Sequence, residues 1–366
     1  MDRRSFLLAL GTAFLPGPGR AASPEHVYVS ACQSGDGAAS VAAFDPEGRL
    51  LFASRLPERG HDVAARPGSD ELVVFARRPG NWAAIVDRTN GRVGQIVTAP
   101  PGRHFYGHGT FTADGALLWA TENAIASGEG VLGLYDARAG YARLGEIPSD
   151  GIGPHDLAWR PAGAGGGLVV ANGGIRTHPE TGREILNPSH MEPSLAILDP
   201  RTGATLLKSE LGPDLRGLSV RHLAVAPDGR TIFGCQYEGD PAALPSLVGI
   251  LETDGRTRFL DLPEDDLAAL DNYVGSVRLD ASGRRLAATS PRGNAVVFWD
   301  LDTGAFLGRR RMADVCGVAP GGRDGTFVVT SGNAGIRMAD AGRSDLARLG
   351  GTALDGWIWD NHLVRV

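Results

Sequence analysis

The chain has only three cysteines, Cys32, Cys235 and Cys316, with no Cys-x-x-Cys spacing, so neither a disulfide framework nor a thiolate zinc site can organise it. Cys32 and Cys235 sit in similar apolar contexts and read as small buried residues. Within the body of the chain no apolar run reaches the ~18 residues of a membrane helix. The formal net charge is only −6, which gives no electrostatic support for a nucleic-acid groove. Also missing are a nucleophile elbow, a phosphate loop, and an acid and base paired at an interpretable spacing. Familiar catalytic signatures are therefore excluded as guides.

What is present is a repeat. His61 opens "HDVAARPG", His108 "HGTFTADG", His155 "HDLAWRPAG", His222 "HLAVAPDG" and His362 the short "HLVRV". Gly68, Gly115 and Gly229 each follow their histidine by seven residues, and Gly163 comes one later. His61, His108 and His155 are separated by one interval of about 47 residues. After each histidine segment comes an apolar run: "ELVVFA", "ALLWAT", "GLVVAN", "TIFGCQ", "RLAATS" and "TFVVTS". A third segment then ends in an acid and a glycine turn, as in "AAIVDRTNG" and "VVFWDLDTG". Aspartate can bond its own backbone there and glycine supplies positive φ, which suits a hairpin. Short strands repeating at roughly 40 to 50 residues are the mark of a β-propeller.

Six full units cover about 61–350, and the ends complete a seventh. "HVYVSACQ", "SVAAFDPEG" and "RLLFASRL" supply its second to fourth strands, and "NHLVRV" its first. The expected fold is all-β: a seven-bladed propeller closed by N- and C-terminal strands in one blade, with no edge left open. Fifty-two glycines and 23 prolines fit many tight turns, and 42% hydrophobic residues suffice for a core. The domain expectation is a signal peptide over 1–21 and a single propeller over 22–366. Arg3 and Arg4, followed by Phe6, Leu7, an apolar stretch and small residues ending "PGRAA", have the layout of a twin-arginine signal. This predicts export through the Tat translocase to the periplasm, with no transmembrane segment in the mature chain.

Equivalent positions of a propeller converge on its axis, so His61, His108, His155, His222 and His362 should face one funnel. Blades five and six break the pattern with Ser276 and with Val315 or Cys316. Two readings stay open. Neutral imidazoles suit Zn, Cu, Fe and Ni; alternatively, each imidazole hydrogen-bonds a neighbouring blade and is structural. Between its second and third strands blade three carries an insertion, "GGIRTHPETGREILNPSHMEPS", which should overhang the funnel. It brings Arg176, His178, Arg183, His190 and Met191, with His178 expected above His108, His155 and His222 as a further ligand. Arg103, His104, Tyr106, Glu122, Asn172, Arg221 and Gln236 are expected along the rim, where the arginines would attract a carboxylate or a haem propionate.

The strings "RGHD", "FYGHGTF", "ATEN", "GIGPHDL", "VANGGIRTHPETGREILN", "MEPSLAILD", "SVRHLA" and "WDNH" resemble an uncharacterised bacterial family of Tat-exported periplasmic β-propellers, encoded near imelysin-like iron-regulated proteins. The resemblance covers nearly the whole mature chain. It implies a periplasmic protein linked to metal, in particular iron, acquisition, with imelysin-type uptake proteins as partners; the expected role is binding or scaffolding, and the low net charge leaves no nucleic acid among the expected partners. The competing expectation is a metal-dependent periplasmic enzyme, with iron or copper in the same funnel. Iron, haem and copper are the candidate cofactors. Calcium is disfavoured, because it prefers oxygen ligands and histidines dominate here.

Overall fold

The computed structural model describes residues 26–366. They form seven antiparallel sheets set round an axis, each a propeller blade. Blade one runs from the axis outward as Gly60–Ala65, Glu71–Ala76, Trp82–Asp87 and Val93–Thr98. The inner strands of blades two to six are Arg103–Phe111, Pro154–Trp159, Leu218–Val225, Ser276–Leu279 and Val315–Pro320. Blade seven joins the two ends of the chain. Ile358–Trp359 and Val364–Arg365 both pair with Tyr28–Gln33, which continues to Ala39–Phe44 and Leu50–Arg55. Val27 and Val366 exchange backbone hydrogen bonds at its end. The predicted seven blades and terminal closure are both present, although "NHLVRV" does not form one continuous inner strand: the pairing is interrupted between Trp359 and Val364.

The apolar runs of the sequence follow from burial on both faces of each blade. Successive side chains of a strand point to opposite faces. In Glu71–Ala76, Leu72, Val74 and Ala76 pack with Val29, Val41 and Val63 towards blade seven, while Val73 and Phe75 pack with Phe105, Leu118 and Tyr135 towards blade two. The core is thus a ring of wedges between blades, and truncating a side chain such as Phe75 to alanine would cost about 3–5 kcal/mol. Outer strands are half-solvated and more polar, as in Phe306–Arg311, "FLGRRR". The third-strand turn works as its sequence suggests: Asp87 Oδ1 accepts from the Thr89 amide at 2.8 Å and Gly91 takes φ 77°. No helix among the described residues is long and apolar enough to cross a membrane. The predicted signal segment, with Arg3 and Arg4, lies outside the described residues.

Candidate metal centre

Blades one, two, three, four and six have a register shift at the place where the repeat carries its histidine or Cys316. The ladder slips between Gly60 and Val63, Phe105 and Gly109, Pro154 and Asp156, Val220 and His222, and Val315 and Val318. In blade seven the break at 360–363 holds His362. A bulge re-aims side chains that regular pleating would send between blades. Four of these slips, with the break in blade seven, turn five imidazoles into the channel. Gly107 shows how tight this is: at φ 104° its backbone passes the His61 ring so closely that a Cβ would lie 2.9 Å from His61 Cδ2.

The rings of His61, His108, His155, His222 and His362 form one cluster, with neighbouring centroids 4.6 to 5.0 Å apart. Two trios, His61 with His108 and His362, and His108 with His155 and His222, each offer ring nitrogens within 4.8 Å of one another. All five residues are buried. The cluster therefore lies within the channel, below its mouth.

Three imidazoles are oriented from behind. His61 Nδ1 lies 2.9 Å from Asp360 Oδ1, and Asp360 is held ionised by Arg77 at 2.6 Å and Arg59 at 3.1 Å. His108 Nδ1 lies 3.2 Å from Asp62 and 3.5 Å from Asp156. His155 Nδ1 donates to the Arg221 carbonyl at 3.1 Å. A carbonyl can only accept, so neutral His155 presents a bare Nε2, the tautomer a metal requires. These contacts also stitch neighbouring blades together, as a structural role demands. That role does not extend to His222 and His362: neither nitrogen of either ring has a hydrogen-bond partner, nor has His108 Nε2. Leaving buried polar atoms unpaired costs about 1–3 kcal/mol each, a cost that ligation of an ion removes.

Protonation agrees with ligation at four of the five rings. Burial first, then the neighbouring imidazoles and Arg221, push His155 well below its ordinary pKa, and burial with the imidazoles of His61 and His108 does the same to His222 and His362. Burial likewise lowers His61 to about 4, against the opposing pull of Asp360. Burial also opposes charge on His108, but the carboxylates of Asp156 and Asp62 prevail and raise it. The four neutral imidazoles are a donor set for Zn, Cu, Fe or Ni, and His108 joins them by giving up the proton that Asp62 and Asp156 favour.

Above the cluster is a cavity of about 240 Å³, floored by His61, His155 and His222. The blade-three insertion, residues 173–193, roofs it, contributing Ile175, Thr177, Arg183 and Ile185. Thr177 pins the roof: its Oγ1 bonds Tyr106 Oη at 2.9 Å and receives Arg78 Nη1 at 3.2 Å, while Asn123 Nδ2 donates to its carbonyl. Below the cluster the channel continues past Asp62, Asp156 and Arg278. The cavity is smaller than the ~300–1,000 Å³ of pockets for drug-sized ligands, and the imidazoles touch one another. A haem macrocycle does not fit between the histidines and their roof.

Of the residues singled out from the sequence, Tyr106, Arg183, Arg221 and Gln236 line the cavity. His178 stands apart from the cluster, its Nδ1 accepting from the Glu180 amide at 3.3 Å. Arg176 is exposed and reaches the Ser127 carbonyl. His104 bonds the Pro79 carbonyl at 2.8 Å, and Arg103 pairs with Glu146 on the outer strand of blade two. Glu122 is buried against Tyr135 and Arg143, and Asn172 against Ser149, both inside the blades. Sequence reasoning passed over Asp62, Asp156 and Asp360, although the "HD" pairs and "DNH" set an acid beside the histidine. It also passed over Arg77, Arg78, Arg292 and Tyr273 at the cavity wall.

The arrangement defines a class: a seven-bladed propeller with a buried polyhistidine centre under a cationic, roofed cavity. The chain belongs to the family described as "Protein of unknown function (DUF1513)", which matches residues 54–366. Among solved structures it is similar to "Kuenenia stuttgartiensis Hydrazine Synthase", at 14% sequence identity and a TM-score of 0.59, over 84% of this chain and 94% of that one. At that identity the likeness shows the shared fold alone. No curated protein matches the sequence.

Proposed function

We propose that the protein binds a transition-metal ion through the channel histidines, and that it acts as a periplasmic binding or scaffold protein in iron acquisition. The observation that carries metal binding is the pair His222 and His362, buried with neither ring nitrogen bonded by the protein. Carboxylates behind His61 and His108 support it, since metal-ligating histidines commonly donate their second nitrogen to such groups. Iron is compatible with imidazole donors. The link to iron uptake, to imelysin-type partners and to Tat export rests on the family resemblance and on Arg3-Arg4. A metal-dependent enzyme, using iron or copper, is the second reading. It draws on the cavity, which leaves room for a small molecule directly over the imidazoles, as an open catalytic position would need.

The test is metal analysis of protein exported through its own signal, followed by calorimetry of chelated protein with Fe(II), Cu(II) and Zn(II). Wild type should take up one ion. His222→Ala and His362→Ala should weaken uptake strongly, and His26→Ala, outside the channel, should be silent. If no ion binds, or if all three variants behave alike, the histidines are structural.

A further inference from the structure

The guanidiniums around the cavity outnumber the carboxylates that could neutralise them. Arg77 is paired with Asp360 at 2.6 Å, but Arg221 comes no nearer than 3.9 Å to Glu238. Arg78, Arg183 and Arg292 meet no carboxylate among the described residues. Their contacts are instead with Thr177 and the Tyr106 ring, with the Arg78 carbonyl, and with the Tyr273 ring. Arg221 gives the clearest sign of a ligand. Its side chain is only 8% exposed, it faces the cavity, and its Nε has no hydrogen-bond partner. A buried guanidinium with an unbonded Nε and no carboxylate nearer than 3.9 Å is expensive unless an anion joins it.

The positions of these cations describe the anion. Arg77 and Arg78 come from blade one, Arg183 from the blade-three insertion, Arg221 from the inner strand of blade four, and Arg292 from the loop after the second strand of blade five. Positive charge therefore surrounds the cavity, and no single-centred anion can meet all of it. A ligand charged at both ends can. At ~30 Å³ per water, the cavity of about 240 Å³ holds roughly eight waters' worth of volume, enough for a chain of four or five carbons. Planar guanidinium forks match carboxylates with two parallel hydrogen bonds. Neutral donors, Tyr273 Oη, Gln236 and Asn361, complete the wall.

We propose that this cavity is a binding site for a small dicarboxylate, held between guanidiniums on opposite sides of the channel, with one carboxylate directed at the imidazoles beneath. Only that last contact, carboxylate to metal, rests on the metal-binding reading; the arginine contacts do not.

The experiment is calorimetry on chelator-treated, metal-free protein with succinate, acetate, inorganic phosphate and the neutral analogue succinamide, with metal uptake measured separately on wild type. Arg183 and Arg292 are exposed, so Arg183→Ala and Arg292→Ala should fold normally. Each should weaken succinate by roughly tenfold or more, the worth of one charged hydrogen-bonded contact. Arg256→Ala, a surface arginine paired with Asp254, is the control and should change nothing. Acetate and phosphate should bind more weakly than succinate, and succinamide not at all. Equal binding of succinamide, tighter binding of phosphate or acetate, or insensitivity to both cavity arginines overturns the proposal. Succinate binding that obeys these rules in a protein that takes up no metal upholds the dicarboxylate site and refutes the metal reading.

Discussion

Deleting residues 359–366 should abolish the folded state, and the structure says by how much. The segment carries Trp359 and Leu363, both buried, into the joint between blades six and seven, and sets the buried Asp360 against His61 and Arg77 of blade one. Trp359 lies edge-on to Phe44 with centroids 5.5 Å apart and pairs with Cys32 across the sheet. Truncating buried Trp and Leu side chains costs about 3–5 and 2–5 kcal/mol. Removing Asp360 leaves Arg77 and His61 without their buried carboxylate, worth about 3–5 kcal/mol more. Together these reach about 8–15 kcal/mol, the whole stability of an ordinary domain, before the newly opened sheet edge is considered. Trp359→Ala alone should lower stability by about 3–5 kcal/mol, leaving a folded protein whose denaturant midpoint can be measured by far-ultraviolet circular dichroism. The truncated chain should show no cooperative transition and should aggregate. A wild-type midpoint in the truncated chain, or a Trp359→Ala cost below about 1 kcal/mol, would refute closure by the termini as a source of stability.

Other outcomes follow from single groups. Glu146, a quarter exposed, is lowered to about 2 by hydrogen bonds from Arg103, with burial opposing and Arg143 assisting. A depressed carboxylate stabilises above its unfolded pKa and loses that contribution as pH falls through the folded one. Glu146→Gln, discounted for exposure, should therefore cost about 1–2 kcal/mol at pH 7, and the gap to wild type should close between about pH 4.5 and 2; a gap that persists at pH 2 would contradict the ion pair. Asp62→Asn should weaken metal uptake by roughly 10–100-fold without unfolding the protein, as expected for a group that orients a ligand, and unchanged affinity in calorimetry would remove Asp62 from that role. Replacing Arg3 and Arg4 with lysine should strand folded precursor in the cytoplasm; periplasmic protein in a strain without the Tat translocase would show that the address was misread.

The blades were legible because each strand obeys one simple rule. Where both faces pack against neighbours, the sequence shows an unbroken apolar run, and "ELVVFA", "RLAATS" and "TFVVTS" coincide with Glu71–Ala76, Arg285–Ser290 and Thr326–Ser331. The histidines were legible as a register, because a repeat maps equal positions to equal places round the axis. Their depth was not. A bulge is a property of pairing, and nothing in "GPHDL" states that Pro154 and Asp156 oppose adjacent residues. The cavity was harder still. Arg77, Arg78 and Arg292 follow strands as ordinary surface arginines do, and only the ring brings blades one and five to one wall. His178 illustrates the converse error: residence in the right loop does not determine where a side chain turns, and the adjacent Thr177 is the residue that reaches inward.

The bulges explain why one element serves both fold and site. A regular inner strand would send its side chains alternately towards the blade on one side and the blade on the other, where an imidazole has no polar partner. The slip at His61 and His155 instead lets two successive residues face the axis, so that the histidine occupies one level and Asp62 or Asp156 the level below. The channel is thereby layered: guanidiniums at the roofed end, imidazoles next, carboxylates with Arg278 beneath. A cation at the imidazole level is stabilised by the carboxylates below it, and an anion above it by the arginines. Electrostatics alone then fixes the order of the two ligands along the axis. Reversal is disfavoured, since a cation at the arginine level and an anion beside Asp62 and Asp156 would each meet like charge. Blades five and six, with Ser276 and Cys316 at the equivalent positions, leave that side of the ring without imidazole. The histidines consequently crowd towards blades one to four and seven, bringing their nitrogens within the reach of one ion.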